Sequence, residues 1–349
     1  MTSFASAGQD SESYAYLYGR VSGMMGKILS RREIESLIQA QSGAEALASL
    51  EATDYEPYLS GMKPEGYTAV EIQERFMKYF RDLFYEIVDI SPSKTGALFN
   101  GFYGGVWDHA NKKTILRGMH HKSGFAKTRR LMIPVGSIIL EDAEKLASLD
   151  SVRLFLEKTG ALAGKEDESA YQSFEETGNL SLLESYLDKT FITGYVDSFA
   201  DTAFRDYALL WADLMNVKNS LRCARYGIDA TPYLVDEGLS ISPETRKKAA
   251  KSRPEELEQV FSNTSYRRLV ETALDRLKNE GTLSFIENLT DNYRMTYLIQ
   301  KSSMQPLSVY PAAYLIEKKL REIKTLTGII LSKKEGFSPE ETRKIISEG

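Results

Sequence analysis

Catalysis near neutral pH draws on histidines, paired carboxylates, thiols or a glycine-rich phosphate cradle, and this sequence holds a few candidates of each kind. Its histidines are His109, His120 and His121. The last two are adjacent, so on a helix their side chains point about 100° apart and do not easily close on one metal ion. No His-x-x-x-His or Glu-x-x-His spacing supplements them, and they read as solvated or hydrogen-bonded side chains. The acidic pairs Glu184-x-x-x-Asp188 and Glu287-x-x-x-Asp291 recur at i,i+4, which reads as a repeated helix face and not as a general acid with its base. Cys223, the single cysteine, leaves no internal disulfide or multi-thiolate metal site, fits a reducing compartment and reads as a small core residue. "TGALAGKE" (159–166) imitates a phosphate loop, but it is one residue short between its glycines and ends in Glu166 where magnesium needs a Ser or Thr. "NGFYGGVW" (100–107) follows no credible strand and reads as a flexible connection between helices. No motif supplies catalysis, and neither a metal, a cofactor nor a small-molecule substrate is expected.

Binding chemistry is better represented. Residues 108–117, "DHANKKTILR", and 213–222, "DLMNVKNSLR", share Asp-x-x-Asn-x-Lys-x-x-Leu-Arg, each just behind one of the only two tryptophans, Trp107 and Trp211. Leu-Arg recurs a third time at Leu320-Arg321, and Arg20 stands near the matching place at the start of the chain. Two readings of Arg20, Arg117, Arg222 and Arg321 stand side by side. Each caps a neighbouring helix or pairs with a carboxylate of its own unit, since a repeated core needs a repeated polar tie; or they face a shared hollow and grip a partner. We favour the tie. The run "HHKSGFAKTRR" (120–130) carries Lys122, Lys127, Arg129 and Arg130 and no acid. Such a run is usually solvated surface, and its alternative is attraction to anionic lipid headgroups at about 1 kcal/mol per cation.

The elements that must position these residues are helical. Leu210, Leu214, Val217, Leu221 and Ala224 are spaced 4, 3, 4 and 3, which puts them on one stripe of an α-helix, and Val309, Ala313, Ile316, Leu320 and Ile323 repeat that spacing. Strand-like alternation is scarce, and only Ile133 to Leu140 merits testing as a strand. Turn formers at 91–96, 164–169, 229–233 and 304–311 mark short connections. The net charge of −5 argues against a general nucleic-acid binder, which needs a basic footprint. The first residues show no basic region followed by an apolar run, as a signal peptide would, and no apolar stretch reaches the length of about 18 residues that a spanning helix needs.

Order strengthens the repeat. The three Leu-Arg pairs are each followed by a glycine, Gly124, Gly227 and Gly328, and "SPETRKK" (242–248) and "SPEETRKI" (338–345) trail the second and third as helix caps. "GKILSRRE" (26–33) matches "GIILSKKE" (328–335), and Thr53-Asp54-Tyr55 matches Thr264-Ser265-Tyr266. The expected architecture is all-α: three similar helical bundles, 1–106, 107–210 and 211–309, and a closing half unit, 310–349, resembling the start of the chain. A pseudo-threefold funnel with a central hollow follows.

The sequence resembles the C subunit of the archaeal A-type ATP synthases, the counterpart of the d subunit in vacuolar-type ATPases. The resemblance is carried by "YAYLYGRVSGMMGKILSRREIESLI" (14–38), "TDYEPYL" (53–59), "NVKNSLRCARYG" (216–227) and "YPAAYLIEKKLREIKTLTGIILSKKEGFSPEETRKII" (310–346). It implies a rotor part without chemistry of its own, present once per complex as a peripheral protein on the cytoplasmic face of the membrane. There it would sit on the proteolipid ring and receive the central shaft in its hollow, coupling ion flow to ATP synthesis or the reverse. A polar, salt-sensitive shaft contact and a more apolar ring contact are expected. The alternative is an unrelated α-helical repeat scaffold that binds a helical peptide; a third possibility is a helical enzyme with a site assembled from distant residues.

Overall fold

The computed structural model describes residues 3–63, 66–138, 140–162, 164–200 and 202–348, with side chains from 12 to 346. Every regular element among the described residues is helical. In chain order the helices are α1 (Ser3–Met25), α2 (Arg31–Gln39), α3 (Gly43–Ala48), α4 (Glu56–Leu59), α5 (Ala69–Ile90), α6 (Ser93–His120), α7 (Phe125–Arg129), α8 (Leu140–Ala147), α9 (Val152–Lys158), α10 (Lys165–Thr177), α11 (Leu180–Ser198), α12 (Arg205–Tyr226), α13 (Pro243–Ala249), α14 (Pro254–Phe261), α15 (Arg267–Glu280), α16 (Ile286–Met304), α17 (Tyr310–Lys334) and α18 (Pro339–Glu348), with one 3-10 turn at Thr231–Tyr233. The four expected breaks all fall at helix ends. Ser242 and Ser338 cap α13 and α18 as the Ser-Pro-Glu pattern predicts; Ser338 closes a reciprocal box, its Oγ accepting from the Glu341 N–H while its own N–H donates to Glu341.

The chain forms two compact units. Unit 1 gathers Met1–Gly118, Ser123–Lys145 and Met295–Gly349; unit 2 gathers Met119–Lys122 and Leu146–Arg294. In unit 1 the central element is α17, packed by α1, α2, α3, α5 and α18. Its predicted stripe is buried, and so are Ala312, Leu315, Leu326, Ile329 and Ile330 on its other sides. A helix with apolar residues buried on several sides belongs in a core, and here Arg321 and Lys324 are left at the surface. Gly328 lies inside α17 and not at its end, because α18 packs there: a Cβ would stand 3.1 Å from Ile346. Phe76, Phe80 and Phe84 of α5 are spaced one turn apart and fully buried; Phe80 and Phe84 meet Trp107 of α6 edge-on at 5.2 and 5.3 Å, and Phe76 meets Tyr55 at 5.3 Å.

Unit 2 is organised the same way around α12, which packs on α11 and α14 and buries its predicted stripe together with Tyr207, Ala208, Ala212 and Cys223. Gly227, in the left-handed conformation at φ 67°, ends this helix. Burial pushes the Cys223 thiol up to about 12, so it is a protonated core group.

One sequence expectation changes. "NGFYGGVW" is no connection; it lies wholly within α6, whose Gly104 carbonyl would stand 2.8 Å from a Cβ at Gly136. The segment tested as a strand is irregular, bending backbone from 133 to 138; its Leu140 begins α8, and its Ile139 lies outside the described residues. So does Ala163 of "TGALAGKE", whose Gly164 and Lys165 start α10.

Candidate interaction sites

The shared decapeptide is a clamp made of the same bonds in each unit. In unit 1, Asp108 accepts from the Ser137 N–H (2.8 Å) and the Ile138 N–H (2.9 Å), while Asn111 makes a two-way pair with Ile133, donating to its carbonyl at 2.8 Å and accepting from its N–H at 2.9 Å. In unit 2, Asp213 accepts from the Ser240 N–H (2.6 Å) and the Ile241 N–H (3.2 Å), and Asn216 pairs both ways with Val235 at 3.0 and 2.7 Å. One helical turn separates each acid from its amide, so both point at the loop that follows the helix. A glycine seats against each carboxylate: Gly136 in unit 1, Gly238 in unit 2, where a Cβ would fall 2.4 and 2.0 Å from an Asp oxygen.

Counting back from Leu320-Arg321 puts Ala312 and Leu315 where Asp and Asn should stand. There α17 uses a different device. Glu322 accepts from the Leu29 N–H (2.7 Å), the Tyr55 hydroxyl (2.6 Å) and the Lys319 ammonium (2.8 Å), and Lys319 also donates to the Lys27 carbonyl at 3.2 Å. The Lys319 and Glu322 side chains are 1% and 4% exposed, with the Lys319 nitrogen 5.2 and 5.5 Å from the Tyr55 and Tyr79 rings. Tyr55 corresponds to Tyr266, which donates to Asp213 at 2.9 Å. Burial, followed by the adjoining carboxylate, drives both hydroxyls upward and keeps them donors. Burial also raises Asp213, ahead of the opposing effect of its hydrogen bonds, for no protein donor reaches its Oδ1. Sequence reasoning read Thr53–Tyr55 as a marker of the repeat and of the family resemblance, and missed Lys319 and Glu322. A Lys and a Glu three apart were the available signal, but Glu317, Lys318, Arg321 and Lys324 in the same helix mask it.

The candidate basic residues are scattered. Arg20 of α1 pairs with Glu86 of α5 at 2.7 Å. Arg222 and Lys218 of α12 converge on Glu287 at 2.8 and 2.9 Å; Glu287 is 56% exposed, so this tie contributes under about 1 kcal/mol. Arg117 and Arg321 are both exposed on their helices. Of the basic run, Arg129 pairs with Glu74, Lys122 and Lys127 are exposed, and Arg130 is half-buried. The acid faces differ too: Glu184 and Asp188 are buried in α11, whereas Asp291 meets Arg294 at 2.7 Å. His120 and His121 stand edge-on at 5.0 Å, His120 also facing Phe174 at 5.6 Å. No helix among the described residues is long and apolar enough to cross a membrane.

The sequence model of the ATP synthase (C/AC39) subunit family matches residues 17–345. The chain belongs to this family. Its relatives include the A-type ATP synthase C subunits of Methanocaldococcus jannaschii, 26% identical over 348 residues covering 95% of this chain and 86% of the relative, and of Haloquadratum walsbyi, 25% identical over 340 residues covering 94% and 96%. A third, from Methanothermobacter thermautotrophicus, is 25% identical over 343 residues, 94% and 86% of the two chains. Members of the family are structural subunits of a membrane-associated complex and not themselves catalytic.

Proposed function

We propose that this chain is the non-catalytic adaptor of a rotary A/V-type ATP synthase, joining the membrane proteolipid ring to the central shaft on the cytoplasmic face. Its three similar helical units, 1–106, 107–210 and 211–309, with the closing segment 310–349, surround a central hollow about a pseudo-threefold axis and receive the end of the shaft. The observation that carries the reading is the family match over 17–345. The clamp recurring with the same bonds at Asp108–Asn111 and Asp213–Asn216 adds support for repeated units. Torque needs stiffness, and loops hydrogen-bonded to buried helices at several points supply it.

In this reading Arg20, Arg117 and Arg222 tie helices together, Arg321 stands open to a partner, and Lys122, Lys127, Arg129 and Arg130 lie toward anionic headgroups. The test is reconstitution with detergent-solubilised ring and soluble shaft subunits. Ring and shaft are expected to co-sediment only when the chain is added; failure to bridge them sinks the adaptor. A variant carrying Arg117→Glu and Arg222→Glu should keep the shaft, and its loss from a folded variant would transfer those arginines from ties to grips.

A further inference from the structure

We propose that unit 1 carries a docking groove for a basic amphipathic helix of a neighbouring subunit, an inference that rests on the adaptor reading only in naming a subunit as the source. Two hollows of about 670 and 440 Å³ adjoin, and Glu51 and Glu56 line both. The larger runs between α1, the 51–58 turn and α5, with five carboxylates facing two cations: Glu51, Asp54, Glu56, Asp82 and Glu86 against Arg20 and Lys27. Both cations are spent, Arg20 on Glu86 at 2.7 Å and Lys27 on Asp54 at 3.1 Å. Asp82 takes the Tyr58 hydroxyl at 3.1 Å and Arg81 at 3.2 Å. Glu51 and Glu56 meet no cation among the described residues, and both are exposed. The groove therefore offers uncompensated negative charge at the junction of its two halves.

Its walls specify the shape of what fits. Gly19 and Gly23 of α1 line it one turn apart, and no atom lies within 4 Å of where either Cβ would be. The main chain of α1 is uncovered there, so a second helix can approach it closely. Tyr58 and Tyr79, edge-on at 5.2 Å, and Met24 give the groove an apolar and aromatic side. A small metal ion fits poorly, since no three acidic or imidazole side chains converge among the described residues. An extended peptide has no sheet edge to join, as the described residues form no strand. A helix with lysines on one side and leucines on the other meets both the charge and the apolar wall.

The experiment uses the full-length purified chain and a labelled synthetic 18-residue helix with Lys at i,i+4 positions opposite a Leu face. Fluorescence anisotropy should register binding that weakens with added salt. Glu51→Gln with Glu56→Gln should weaken it roughly tenfold, and Gly23→Leu, which fills only open space, should abolish it. A control pair, Glu144→Gln with Glu258→Gln, changes net charge equally and should leave it intact. No binding to the wild type, equal binding by the groove variants, or equal loss in the control pair would each overturn the proposal. Because the probe contains neither ring nor shaft, these outcomes are separate from failure to bridge those partners.

Discussion

Asp213 concentrates the physics of the single side chain. Four protein donors, the Ser240 and Ile241 N–H groups and the Ser240 and Tyr266 hydroxyls, converge on its Oδ2 while Oδ1 rests on the bare Gly238 backbone, and burial lifts its pKa above the ordinary 3.8. Asp213→Ala would strand the buried Ile241 N–H and the Tyr266 hydroxyl and strip the Ser240 N–H of its partner, costing about 3 kcal/mol in urea unfolding. Asp213→Asn preserves an acceptor and removes the buried charge, so it should lose less than half as much. The sign with pH follows from the raised value: any advantage of aspartate over asparagine is full below 3.8 and fades as pH rises through the higher folded value. A wild-type-minus-Asn difference that instead grows with pH would show the carboxylate to be better stabilised folded than unfolded. Of this site the sequence displayed the Asp-x-x-Asn spacing and the matching Thr-x-Tyr. It could not display that the two meet, since 53 residues separate Asp213 from Tyr266.

Whole elements were easier to foresee than their neighbours. The stripes of α12 and α17, the breaks and the Ser-Pro caps follow from local periodicity and turn chemistry, which a sequence carries openly. "NGFYGGVW" misled because glycine's usual effect is to loosen a helix, whereas these glycines sit inside α6, whose Gly104 carbonyl lies close to Gly136. That loop glycine sits at φ 108°, and Gly136→Ala should destabilise unit 1 by about 2 kcal/mol or more, through both strain and collision with Asp108. The clamp on α17 makes a second prediction at this scale. Lys319→Met leaves Glu322 buried beside the Tyr55 hydroxyl with its ammonium partner gone, a loss of about 3–5 kcal/mol. Pairing it with Glu322→Leu should recover part of the loss by removing the stranded charge; a double variant as unstable as the sum of the singles would mean the ion pair itself contributes little.

At the scale of the molecule, unit 2 is nearly one continuous stretch, Leu146–Arg294, whereas unit 1 is assembled from three. Their stabilities should therefore respond separately: Lys319→Met is expected to speed hydrogen exchange along α17 and α5 while leaving α12 amides protected, and equal acceleration in both would show a single cooperative unit. The internal likeness of the two chain ends was visible in the sequence, but that α17 would be packed by α1, α2, α3 and α5 was not, because such long-range packing leaves no local periodic trace. That placement bears on biosynthesis. As the polypeptide leaves the ribosome, the opening helices α1 to α5, which end by Ile90, emerge well before α17, which begins at Tyr310, so Leu146–Arg294 can mature while the preceding segment waits with its apolar surface uncovered. A nascent product cut short before α17 would keep that surface exposed to chaperones and proteases, which makes completion of translation a condition for joining the machine.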